Sequence, residues 1–171
     1  MIASTHLTVG AAVGVLSYRF LFKSNSISGM AGALVLGIIS HLVLDMIPHG
    51  DDELYRPSGR PNFLPLMLSA ELLFSFLAIY WCGVSESLPY QNGYLLAGMV
   101  GGALPDVPHV LMESLKVDWR ILQTADRLNS FFHTSWHAGS FWQGLLPQLV
   151  ILALSLTVLY FFKLPMTETS P

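Results

Sequence analysis

Along this chain the polar residues gather in a few short stretches, and the segments between them are apolar for close to the length of a membrane crossing. A hydrocarbon core of about 30 Å takes roughly 20 apolar residues in helical form. Five stretches approach that length: 5–22, 27–48, 63–84, 93–112 and 136–162. The last is the cleanest, since GLLPQLVILALSLTVLYFF carries no charge. The first is short and holds Arg19, which near a span end is expected to snorkel to the interface. No basic stretch precedes it and it contains His6, so it reads as a retained helix rather than a cleaved signal peptide. Two connections are longer than the rest. Residues 49–62 (HGDDELYRPSGRPN) are polar and rich in Pro and Gly. Residues 113–132 (ESLKVDWRILQTADRLNSFF) mix charges with Leu, Ile and Trp at helical spacing, which suits a helix lying on a membrane surface. The expected fold is an all-α integral membrane protein. It forms one transmembrane domain over residues 1–171, a bundle of about five spans with a surface helix before the last.

Composition narrows the class further. Of 171 residues 53% are hydrophobic and 11% charged, against about 25% charged in soluble domains. With a mean hydropathy of +0.55, a soluble globular protein is excluded, and disorder is excluded on the same ground. A net charge of -3 leaves no basic surface for nucleic acid. The lone Cys82 excludes a disulfide framework and a cysteine-based zinc knuckle. Gly29, Gly32, Gly37 and the AGMVGGA segment at 97–103 offer small residues for close helix contact. With five spans, one face carries Arg56, Arg60, Lys116, Arg120 and Arg127, and the other Arg19, Lys23 and Lys163. That balance places the N-terminus and its face on the cytoplasmic side.

The histidines are informative on this topology. His6 opens the first span, His41 and His49 lie at the exit of the second, and His109 at the exit of the fourth. His133 and His137 lie at the entrance of the fifth. Odd spans leave the N-terminal face and even spans return to it, so all six fall on one side. Asp45 follows His41 by four positions, which stacks the two on one helix face. Asp106 and His109 are three apart in ALPDVPHV, where Pro105 and Pro108 are expected to break or kink the helix. His133 and His137 are again four apart, a spacing that lets two imidazoles share one ion. Asp45, Asp106 and Glu71 are ionisable residues inside apolar spans, which mark functional sites by default.

Imidazole nitrogens and carboxylate oxygens without thiolates suit zinc, with manganese or iron as alternatives, and the supply is sufficient for one or two ions. The expected metal ligands are His41, Asp45, Asp106, His109, His133 and His137. His6, Glu71 and Asp106 are the candidates for acid–base work or for orienting ligands. Taken singly, each has a plainer reading as an interfacial residue, a helix cap or a bond to a neighbouring helix; the convergence on one face is what favours a site.

Several of these residues fall in segments that resemble the YdjM-like membrane-bound metal-dependent hydrolases, a bacterial family. Thr5-His6 with Gly10 is similar to that family's THxxxG, and Ser40-His41 with Asp45 to its SHxxxD. Leu104-Pro105-Asp106 with His109 is similar to LPDxDH, and His133-Thr134-Ser135-Trp136-His137 to its His-rich element. Pro108 replaces the second Asp of LPDxDH, and the SHxxxD element comes second here instead of last. The resemblance implies a bound metal and hydrolysis, in an inner membrane of a bacterium or archaeon.

The expected function is metal-dependent hydrolysis of a phosphoester or acyl bond in a lipid or lipid-linked substrate at the membrane interface. The alternatives are a non-catalytic membrane protein with a structural metal site, or a metal-handling protein. Transport needs polar groups continuing across the membrane, and beyond Glu71 the far half of the spans offers almost none.

Overall fold

The computed structural model describes residues 2–22, 26–47, 64–132 and 141–163. Every element among them is a helix. The chain opens with α1 (Ala3–Leu16), built mostly from Gly, Ala, Ser and Thr, and this slender helix is the centre of the bundle. Residues around its whole circumference are buried, among them His6, Leu7, Ala11, Ala12 and Val15. Against it pack α2 (Ile27–Asp45), α3 (Leu64–Gly83), α4 (Pro89–Ala103) and α7 (Phe141–Lys163). Leu7, Ala11 and Val15 join Ile79, Leu95, Met99 and Leu159 from three of those neighbours in one apolar core.

Small residues set how closely the helices approach. A Cβ on Gly10 would strike the Gly98 carbonyl, and one on Gly102 the His6 carbonyl, so α1 and α4 touch backbone to backbone. On the other side of α4, a Cβ on Gly37 would strike the Gly98 carbonyl and one on Gly101 the Leu34 carbonyl, which brings α2 equally close. This is the packing that small residues permit where apolar burial cannot drive association. The Ser26 side chain caps α2, accepting from Gly29 N at 3.0 Å.

Away from α1 the outer helices present large apolar side chains. Val35, Ile39 and Val43 on α2, Leu73, Phe74 and Leu77 on α3, and Leu146, Val150 and Leu154 on α7 are all exposed. Among the described residues four helices are long and apolar enough to cross a membrane: Ile27–Asp45, Leu66–Gly83, Pro89–Glu113 and Trp142–Lys163. The first of the five expected spans is not among these four, because α1 ends at Leu16 and the chain widens into a π-helical turn, Ser17–Phe22. Arg19 lies in that turn and does not snorkel. It is buried, donating from Nε to Gln91 Oε1 at 2.7 Å and from Nη2 to the Phe162 carbonyl at 2.8 Å, where a cation suits the C-terminal end of α7.

At the opposite end of the bundle, Pro105 and Pro108 divide the third of these long helices, Pro89–Glu113, as their positions predict. A 3₁₀ turn, Leu104–Asp106, follows α4 and leads into α5 (Val107–Leu115). Lys116, at φ 54°, closes α5 in the left-handed conformation. Then comes α6 (Arg120–Phe132), the amphipathic helix expected before the last span. It turns Asn129 inward and leaves Ile121, Leu128 and Phe131 exposed.

Candidate metal centre

Three of the packed helices carry their small residues at intervals of four, and each stripe ends in a group able to hold a metal. On α1 the stripe is Gly14, Gly10, His6. On α2 it is Gly29, Ala33, Gly37, His41, Asp45, and along α4 and the turn after it Tyr94, Gly98, Gly102, Asp106. Residues four apart share a helix face, so the contact that brings the backbones together also points these side chains at one another.

The result is a buried cluster. Asp45 lies between two imidazoles, its Oδ1 3.1 Å from His6 Nε2 and its Oδ2 3.1 Å from His41 Nε2. Asp106 brings Oδ1 to 3.4 Å from the same His41 Nε2. The two rings are stacked, with centroids 3.9 Å apart and planes 25° from parallel. His6, His41 and Asp45 are all but sealed from solvent, whereas the Asp106 side chain is 35% exposed and forms the cluster's open side.

The tautomer of His41 follows from its other nitrogen. Nδ1 lies 2.7 Å from the Gly102 carbonyl, which only accepts, so Nδ1 carries the hydrogen. Nε2 of a neutral ring then offers a lone pair facing two carboxylate oxygens, an arrangement that calls for a cation: a second ring proton or a metal ion. His6 Nε2 and His41 Nε2 make these close approaches without the alignment of a hydrogen bond. Two ligands of one tetrahedral zinc lie about 3.3 Å apart, and the three separations here are 3.1, 3.1 and 3.4 Å. His6, His41 and Asp45 each place a ligand atom within 4.8 Å of the others. A divalent ion would also balance the two carboxylates. His6, His41 and Asp45 together could hold a metal ion, and Asp106 lies beside them on the open side.

Outer contacts hold the cluster in place. The Gly102 carbonyl orients His41, a usual support for a metal-binding imidazole. Two neighbours tie the start of α1, and with it His6: Gln148 Oε1 accepts from Ile2 N at 2.7 Å, and Glu71 Oε2 accepts from Ser4 N at 3.3 Å. Glu71, expected to do acid–base work or to orient ligands, is thus placed as a carboxylate at the N-terminus of the helix that carries His6. His6, expected in the same role, lies in the donor set itself. His109 points elsewhere: Nε2 is 3.1 Å from Glu113 Oε2 and Nδ1 3.2 Å from Asp126 Oδ1, so it joins α5 to α6 at an exposed position. His133 and His137, like His49, lie outside the described residues.

Two groups had no signal among the titratable residues. Gln148 is a polar residue in an otherwise apolar helix. Asn129 is a buried amide on an amphipathic one, donating from Nδ2 to Asp106 Oδ1 at 3.2 Å. No protein-family model, curated protein or solved structure matches the chain.

Proposed function

We propose that the chain is an integral membrane protein, with α1 enclosed by four spanning helices, and that it is a metal-dependent hydrolase of a phosphoester or acyl bond in a lipid or lipid-linked substrate. The observation that carries the reading is the convergence of His6, His41, Asp45 and Asp106 from three segments at metal-ligand separations. Those are the segments that resemble THxxxG, SHxxxD and LPDxDH in the YdjM-like hydrolases, and the resemblance supports the choice of hydrolysis.

His6, His41 and Asp45 would hold the ion, and Asp106 would complete the set from the open side. Bound there, zinc would supply a water of lowered pKa and a Lewis acid toward a phosphoryl or acyl oxygen. The remaining tasks fall to the chain. His6 Nδ1 has no hydrogen-bond partner among the described residues, and with Nε2 on the ion it would carry the ring's one hydrogen. The tight glycine contacts below the cluster exclude water from the apolar interior. The prolines and α6 flank the partly exposed Asp106 at the bundle end, which in a bilayer-spanning bundle would lie near the lipid headgroups. That end is taken as cytoplasmic from the balance of basic residues.

A second reading has one observation in its favour. The near-complete burial of His6, His41 and Asp45 also suits a closed structural site that clamps three helices and performs no chemistry. Elemental analysis of detergent-purified protein, followed by turnover on phospholipid and lipid-linked phosphoester or acyl substrates, separates the two. Hydrolysis predicts one or two equivalents of zinc, manganese or iron, lost in His41→Ala and Asp45→Ala together with turnover. Bound metal without turnover on any substrate assigns the site to structure. Wild-type protein that takes up none of these ions overturns both readings.

A further inference from the structure

Asn129 stands out because nothing in the ligand set requires it, yet α6 spends its one buried position on this amide. The residue is 7% exposed. Nδ2 donates to Asp106 Oδ1, the same oxygen that lies 3.4 Å from His41 Nε2. The orientation of the amide is set by chemistry: turned over, it would put a carbonyl oxygen against a carboxylate oxygen. In the orientation adopted, Asn129 Oδ1 is a buried acceptor without a hydrogen-bond partner among the described residues. A buried polar atom left in that state is uncommon and calls for an explanation such as a ligand or an ordered water.

Asp106 needs such support more than the other ligands do. Asp45 is fixed between two imidazoles in the middle of the packed helices, whereas Asp106 sits on a 3₁₀ turn between two prolines and is partly open to solvent. A carboxylate on a short turn has several rotamers, and only those facing His41 serve the site. We propose that Asn129 is a positioning residue of the metal centre. Its amide nitrogen fixes the Asp106 carboxylate toward His41, and its carbonyl oxygen receives a hydrogen-bond donor, from water or from a ligand hydroxyl, on the open side. The inference rests on the metal-site reading and adds that α6 is a working part of that site. Groups orienting a ligand in this way typically hold 10–100-fold in metal affinity.

The test uses the full chain in detergent micelles and cobalt(II) as the probe, with affinity measured by chelator competition and ligand geometry by the visible absorption of the bound ion. The variants are Asn129→Leu, which keeps the branched shape but removes donor and acceptor, Asp106→Ala, and the double variant. Asn129→Leu is expected to weaken cobalt binding 10–100-fold and to change the absorption spectrum. Because Asn129 acts through Asp106, the double variant should bind no more weakly than Asp106→Ala alone. Wild-type affinity and spectrum in Asn129→Leu would overturn the proposal, and so would losses that add in full in the double variant, which is the pattern of a merely structural tie. A wild type that binds no cobalt overturns the metal reading itself, and this inference with it.

Discussion

His41 is the residue on which the cluster turns, because each of its ring nitrogens has one set of contacts. Nδ1 is committed to the Gly102 carbonyl, and Nε2 faces Asp45 and Asp106. Glu71 is its counterpart among the candidates, since its carboxylate meets the backbone of α1 at Ser4 rather than a ring. Loss of such a cap costs about 1–2 kcal/mol. Glu71→Ala is therefore expected to lower stability by that amount in denaturation measurements while keeping the wild-type metal content. Loss of the metal at unchanged stability would return Glu71 to the site. At this scale the sequence was a partial guide. His41 with Asp45 was legible from the spacing of four, which holds in any straight helix. His109 was misleading because Asp106 and His109 straddle Pro108, where the 3₁₀ turn gives way to α5. Asn129 was invisible, since a lone amide in an amphipathic segment has no periodicity to betray it.

At the scale of the element, the repeated interval of four does two jobs in one stripe: the glycines let backbones meet, and the last position delivers a ligand. Packing and site should therefore fail together. A Cβ at Gly98 would meet the Gly10 carbonyl and the backbone of Gly14, neither of which can turn aside. At Gly93 it would meet only the flexible end of Met30, at 3.2 Å. Gly98→Val is expected to destabilise by about 1–3 kcal/mol or more and to abolish metal uptake, with Gly93→Ala near wild type in both. Thermal unfolding and elemental analysis check the pair, and full metal uptake in Gly98→Val would separate stripe from site. The long apolar helices were readable from length and hydropathy, and α6 from its two-sided pattern. The place of α1 was not, because a helix of small residues with no one-sided apolar stripe gives no sign of which neighbours will cover it.

Over the whole molecule, an ion held by α1, α2 and the turn after α4 would tie together segments far apart in sequence, so binding and unfolding should be linked. A ligand that binds only the folded state stabilises it by about 2.7 kcal/mol at a concentration 100 times its Kd. Added zinc is expected to raise the melting temperature of wild type to that extent and to leave Asp45→Ala unmoved; an equal rise in both would place the binding elsewhere.

The central position of α1 also bears on how the protein is made. α1 precedes in the chain every helix that encloses it. Ile2 is secured by Gln148, 146 positions later, and Arg19 by the carbonyl of Phe162. During synthesis α1 therefore emerges with its Ser, Thr and His side chains and its thin glycine surface uncovered, before any of its partners has been translated. It is a poor segment to leave without its neighbours. Its lodging must be provisional until the last helix arrives, and translation of α7 is the event that closes the bundle around the first histidine.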